Sequence, residues 1–208
     1  MYQPAHFKEE RLEVLHDLMQ AYPLATLVNY GPNGITANHV PLLVHSDVSE
    51  NGTLRGHIAR ANPLWKELDA SVEVIAIFQG PHHYVTPSWY ATKKEHGKVV
   101  PTWNYAVVHA HGPLKIIDDG DWLLQQVNSM TTQHETGRDL PWSVNDAPDD
   151  YIKSRLKGIV GLELPIRRIE GKWKASQNKP DNNRQGVIDG LKNEDTNISN
   201  AMADLTPR

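Results

Sequence analysis

The cluster Tyr30-Gly31-Pro32-Asn33-Gly34 stands between two apolar runs, residues 24–28 and 35–44. Both runs are short for helices, and the glycine–proline cluster between them marks a turn, so the segment reads as a hairpin. Strands joined in this way pair antiparallel. More strand-like runs follow at 53–58, 71–78 and 105–117, the last with Gly112-Pro113 as a bend or edge feature. Residues 158–169 read as a sixth strand, Glu170-Gly171 as a turn, and 172–176 as a short return strand. Leu12, Leu15, Leu18 and Met19 recur at helical spacing behind Glu9, Glu10 and Glu13, and Tyr22-Pro23 closes that helix. Further helices are predicted at 64–68, 122–135, 149–156 and 182–191. Hairpin-like succession with inserted helices favours an α+β, mainly β, antiparallel barrel over an alternating βαβ fold.

A chain of 208 residues suits one sizeable domain, placed here at residues 1–191, with a polar tail at 192–208 expected to fray or dock weakly. There is no cysteine, which excludes disulfides, thiolate nucleophiles and cysteine-held metals. No apolar run approaches the ~20 residues that span a bilayer, and the N-terminus has no signal-peptide pattern. A cytoplasmic protein with no membrane partner is the expectation. The net charge of −4 argues against a dedicated nucleic-acid binder.

Residues 78–105 carry two Trp, three Tyr and several His, cut by Pro81, Pro87 and Pro101. Prolines forbid a long helix there. The stretch reads as a loop between strands, walled with rings that suit either a planar heterocyclic ligand or an aromatic core corner.

Three groups are candidates for chemistry. Gly56-His57-Ile58-Ala59-Arg60 ends a strand where a helix begins, so backbone N–H groups and a guanidinium fork could meet an anion. His109 and His111 share one strand face, but no carboxylate or further His stands at a diagnostic offset, and no metal is expected. Lys172 to Lys179 form a locally basic segment whose run Ser176-Gln177-Asn178 resembles a hydrogen-bonding loop. Neither a glycine-rich nucleotide loop nor a serine-nucleophile elbow is present. No catalytic residue is singled out, which favours a binder or an enzyme whose cofactor carries the chemistry.

Several stretches together resemble one family: 23–28, Ala37-Asn38-His39-Val40-Pro41, Gly56 to Pro63, 78–90, Val100-Pro101-Thr102-Trp103-Asn104-Tyr105, Gly158-Ile159-Val160-Gly161 and Lys174-Ala175-Ser176-Gln177-Asn178. The set resembles the PaiB-like FMN-binding negative transcriptional regulators. The resemblance implies the antiparallel split β-barrel of flavin reductases and pyridoxamine-phosphate oxidases, a homodimer, and FMN in clefts at the subunit interface. By the same resemblance, His57, Ile58, Ala59 and Arg60 would hold the phosphate. Thr36, Ala37, Asn38 and His39 would pass along the ring, with Trp103, Asn104 and Tyr105 near it. Ser176, Gln177 and Lys179 match the family's late motif. The oxidase relatives carry more basic residues than the Ala37-Asn38-His39 segment and single Arg60 of this chain, which implies weaker phosphate affinity. The functions implied are a flavin-dependent oxidoreductase or redox sensor, a transcriptional repressor acting on DNA or through a regulatory protein, or a haem-binding relative using His82 or His83.

Overall fold

The computed structural model describes residues 1–207. Among these residues, nine strands alternate with seven α-helices. The strands are β1 (Lys8–Glu9), β2 (Leu24–Gly31), β3 (Gly34–His45), β4 (Thr53–Ala59), β5 (Val74–Val85), β6 (Thr102–Gly112), β7 (Lys115–Ile117), β8 (Ile159–Pro165) and β9 (Arg168–Lys174). The helices are α1 (Leu12–Ala21), α2 (Leu64–Glu67), α3 (Lys93–His96), α4 (Gly120–Glu135), α5 (Asp149–Leu156), α6 (Asp181–Asn193) and α7 (Asn197–Leu205). The hydrogen-bonded strand order is β1-β9-β6-β5-β2-β3-β4-β8-β7, an open series. This is the α+β, mainly β, antiparallel split-barrel class expected from the sequence. The chain divides into two compact units, one of Met1–Ala21, Gln79–His109 and the residues from Glu170 on, the other of Tyr22–Phe78 and Ala110–Ile169.

In the second unit the predicted hairpin forms. Gly31 pairs with Gly34, which fixes Tyr30 opposite Ile35 and Asn29 opposite Thr36. Ala25 and Leu27 point inward and are fully buried, as period-two alternation requires. β3 then pairs with β4, and β4 with β8 over seven residues from Thr53 to Ala59. A Cβ on Gly31 would lie 2.4 Å from the Glu67 carbonyl oxygen. The missing side chain therefore lets the end of α2 approach the hairpin, and the two make one wall.

In the first unit α1 buries Leu15, Leu18 and Met19 as its spacing predicts. Three expectations are corrected. The 78–105 stretch is not all loop, because β5 continues to Val85 through Pro81. β5 pairs with β2 from Ile75 to Ile77, and Pro81 lies beyond those residues. A proline past that point sacrifices no bond on that flank. Glu170-Gly171 is not a turn. Gly171 lies within β9 opposite Glu9, and a Cβ there would lie 2.1 Å from Leu15 Cδ2, so this glycine serves close helix–strand packing. The segment from 192 on is not only a polar tail, because it forms α7, which docks through Met202. Thr196 caps α7 by accepting from Ser199 N–H, and Met202 is fully buried with Val85, Tyr90, Ala175, Val187 and Leu191.

Candidate functional site

The hairpin and α2 enclose a pocket of about 400 Å³ in the second unit, lined by Asn29, Gly31, Asn33, Gly34, Thr36, Ala37, Asn38, Asn62, Pro63, Leu64 and Glu67. Its polar groups hold one another in place. Thr36 Oγ1 donates to Asn29 Oδ1 at 2.9 Å, across the directly opposed strand pair. Asn62 Nδ2 donates to Asn38 Oδ1 at 2.8 Å, while Asn62 Oδ1 accepts from Leu64 N–H at the start of α2. Asn29 is buried, so its amide depends on these partners. The result is a fixed set of neutral donors and acceptors with one carboxylate, Glu67, on the rim and no cation in the lining. Such a lining suits an uncharged ring bearing carbonyl and N–H edges better than a phosphate.

Arg60 does not line that pocket. Its guanidinium donates to both oxygens of Asp118, at 2.9 and 2.5 Å, and to the carbonyls of Lys157 and Ile159. Arg60 in turn holds the Asp118 carboxyl below the usual carboxylate range by hydrogen bonding and charge. A phosphate at Arg60 would have to displace a carboxylate already gripped by two bonds. His57 sits on β4 with Nδ1 buried and without a hydrogen-bond partner among the described residues, and burial pushes its pKa down. Ile58 is a core residue, Ala59 is exposed, and His39 is exposed on β3 outside the pocket lining.

The first unit holds a smaller pocket of about 170 Å³, lined by Phe7, Val100, Pro101, Thr102, Asn104, Lys174, Ser176, Asn178 and Lys179. Asn104 and Ser176 are both buried, and Asn104 Nδ2 donates to Ser176 Oγ at 3.0 Å. Ser176 takes φ = 65°, a left-handed conformation that a non-glycine residue adopts only at a cost. Gln177 supports the loop from outside the lining: its Oε1 accepts from Ala175 N–H and its amide donates to Trp173 O. Lys174 Nζ donates to Thr102 Oγ1 and to the Trp103 carbonyl. Burial, then the charges of Lys172 and Lys179, pull the Lys174 pKa down. Trp103 is half exposed, stacks on His82 at 5.9 Å, and donates through Nε1 to His82 Nδ1 at 3.3 Å. Tyr105 lies under the Lys172 ammonium, 5.4 Å from it. His83 is engaged by Glu194 at 2.9 Å.

The sequence-predicted residues thus separate into groups. Thr36, Ala37 and Asn38 share the hairpin pocket, Asn104, Ser176 and Lys179 the smaller pocket of the first unit, and Arg60 pairs with Asp118 on the wall of a third pocket of about 440 Å³. Asn29 falls outside every stretch read as a candidate, whereas Asn62, Thr102, Lys174 and Asn178 fall inside such stretches without being singled out as contacts. The turn itself could have revealed Asn29, since pairing back from Gly31–Gly34 sets it opposite Thr36.

The comparisons with known proteins bear on this arrangement. Residues 1–168 match the family described as "Putative FMN-binding domain". The chain is 32% identical to Protease synthase and sporulation protein PAI 2 of Bacillus subtilis, over 99% of this chain and 96% of that protein. The chain belongs to this PaiB-like FMN-binding family. It is also 36% identical to a protein of Emericella nidulans, again over 99% of this chain and 96% of the other. In structure it resembles a conserved protein of Mycobacterium tuberculosis (TM-score 0.60, 15% identity, 86% of this chain and 94% of that one). It also resembles the flavocytochrome Anf3 of Azotobacter vinelandii (TM-score 0.58, 14% identity, 80% and 69%). At those identities the likeness concerns the fold. The family match implies FMN as the cofactor, and the pocket between the β2–β3 hairpin and α2 offers neutral amide and hydroxyl groups to a ligand. Among the described residues no helix is long and apolar enough to cross a membrane.

Proposed function

We propose that this PaiB-like chain is an FMN-dependent redox protein, and that any regulatory output runs through the state of its flavin and not through direct reading of DNA. The observation that carries the reading is the pocket of about 400 Å³ in which Thr36 and Asn38 of β3 are locked by Asn29 and Asn62. Their remaining hydrogen-bonding capacity would orient the polar edge of the ring, with the Ala37 segment of strand beside its plane. FMN, when bound, supplies hydride and single-electron transfer, and the residues here supply position. Trp103, Asn104 and Tyr105, together with Ser176, Gln177 and Lys179, are proposed as further cofactor contacts. Arg60, held by Asp118, is proposed to lie outside the phosphate site, with His57, Ile58 and Ala59 as its strand neighbours and not as a clamp. A homodimer is proposed as the working state, because the pocket-bearing hairpin leaves Leu24, Tyr30 and Ile35 exposed at 60, 49 and 77%, apolar surface that a second copy would cover.

The net charge of −4 supports the indirect route to regulation, since duplex DNA binding rests on neutralising phosphates. The PAI 2 relative has a name that speaks of protease synthesis and sporulation, and a flavin-sensing role for this chain fits such a regulatory setting. The test is titration of the flavin-free protein with FMN and with riboflavin, followed by desalting. Visible flavin absorption that stays with the protein, and is reduced in Asn38→Leu, is the expected result. Complete loss of both flavins from the wild-type protein would refute the reading. A parallel titration with duplex DNA at about 150 mM salt is expected to give no sequence preference.

A further inference from the structure

We infer that the smaller pocket, at the junction of β6 with the β9–α6 loop, is a binding site for a phosphomonoester. It deepens the proposal that Asn104, Ser176 and Lys179 contact the cofactor, and it stands apart from the reading of the ring pocket. Three lysines, Lys172, Lys174 and Lys179, gather on one short segment, and the partners that hold them are neutral. Lys172 is buried, donates to the Tyr2 carbonyl, and lies over the rings of Tyr2 and Tyr105. Lys179 lies 5.3 Å from the Tyr90 ring. Lys174 bonds to a hydroxyl and a carbonyl. No carboxylate lines the pocket among the described residues. Ring faces and carbonyl oxygens soften such charges but do not neutralise them. Burial is the first cause of the lowered Lys174 pKa, and the charges of Lys172 and Lys179 add a repulsion that no carboxylate in the lining relieves. A bound dianion would relieve it.

The remaining donors have the right chemistry. An ammonium has three N–H bonds, and Lys174 spends two on Thr102 Oγ1 and Trp103 O, which leaves one. Because Thr102 Oγ1 accepts from Lys174, its own hydrogen must point elsewhere. Lys179 and the Asn178 amide complete a lining able to meet several oxygens of one tetrahedral group. The loop is built for this at a cost: Ser176 holds a left-handed backbone and is pinned by the fully buried Asn104, which carries the chain from Lys174 round to Lys179. Phe7 and Pro101 add an apolar wall that free phosphate does not need but the carbon side of an ester does. At about 170 Å³ the pocket takes a phosphate and a few atoms beyond it, not a nucleic-acid strand.

The phosphomonoester has two possible sources, the ribityl phosphate of FMN or a second phosphorylated ligand. The experiment measures binding of inorganic phosphate by calorimetry at fixed ionic strength in the flavin-free full chain, the wild type beside Lys179→Met and Lys174→Met. Loss of one charged hydrogen bond should weaken phosphate roughly 10- to 100-fold. Lys179→Met is the decisive variant, because Lys174 also supports Thr102 and Trp103 and its replacement could disturb the loop. Phosphate binding that is absent from the wild type, or equal in wild type and Lys179→Met, overturns the inference. FMN and riboflavin titrations then separate the sources. If Lys179→Met weakens FMN but not riboflavin, and phosphate competes with FMN alone, the site receives the flavin's own phosphate. If FMN affinity is unchanged and phosphate binds alongside it, the site receives a second ligand. Riboflavin binding reports on the ring pocket independently, so failure of the phosphate site and failure of the flavin reading give different results.

Discussion

At the residue scale, function in this chain turns on which side chains are already spoken for. Arg60 is the residue that sequence motifs raise most strongly as an anion anchor, yet both of its terminal nitrogens are bonded to Asp118. Thr36 and Asn38 look ordinary in sequence, yet each is fixed by one hydrogen bond beside open volume. The expected outcome is therefore an inversion of the motif-based ranking. Asn38→Leu should weaken FMN by about 1 kcal/mol, roughly fivefold, as suits one neutral hydrogen bond. Arg60→Ala should leave FMN affinity within about twofold, where the loss of a charged phosphate contact would cost far more. Fluorescence titration of the two variants under one buffer decides the matter, and a large loss confined to Arg60→Ala would return the phosphate to the β4–α2 junction. The sequence could not disclose this, because Asp118 lies 58 residues away from Arg60 and nothing local marks the pair. Asn29 was within reach of the sequence, since the glycine–proline turn fixes its register.

At the scale of elements, strand order and helix positions were legible where period and turn chemistry were strong, as in α1, the β2–β3 hairpin and the break between β6 and β7 at Gly112-Pro113. They were not legible where a residue's use contradicted its local habit. Gly171 resembles a turn residue but serves packing, and residues 197–205 look too polar to dock, although Met202, Ala203 and the side of Ser199 fall on one buried face. That face predicts a substantial cost for Met202→Ala, about 2–5 kcal/mol from lost packing and an incompletely collapsed cavity. Urea denaturation of the full chain would measure it, and a change below about 0.5 kcal/mol would mean that α7 contributes nothing to the unit's core. The Ser176 loop gives a second expectation. Ser176→Ala keeps the unfavourable φ and removes the hydroxyl that Asn104 bonds in full burial, so it should destabilise by about 1–3 kcal/mol. Ser176→Gly loses the same bond but relieves the backbone, and should cost measurably less than the alanine variant.

For the whole molecule, stability should carry the signature of histidines held neutral. Burial pushes the pKa of His57 down, and burial together with Arg55 does the same for His45, with Asp47 and Glu163 opposing more weakly. His57 Nδ1 and His45 Nε2 are buried without hydrogen-bond partners among the described residues, so neither ring gains a compensating acceptor on protonation. Each group binds protons more readily in the unfolded chain, whose histidines titrate near ~6.5. Its contribution is thus fully present above that value and is lost as pH falls through the lower folded pKa, with a slope of at most about 1.4 kcal/mol per pH unit for each histidine. The carboxyls of Glu9, Asp69 and Asp118 are also lowered, from ordinary values of 4.5, 3.8 and 3.8. Their loss of stability therefore begins at more acidic pH, and the interval from about 6.5 down to about 5 belongs to the histidines. The melting temperature should be flat from pH 8 to about 6.5 and fall below it. In His57→Gln, which keeps a polar side chain but cannot titrate, the fall should be shallower by the share of one group. An identical slope in that variant would show that the proton uptake destabilising the fold occurs elsewhere, and would leave the buried nitrogen of His57 without the energetic role assigned to it.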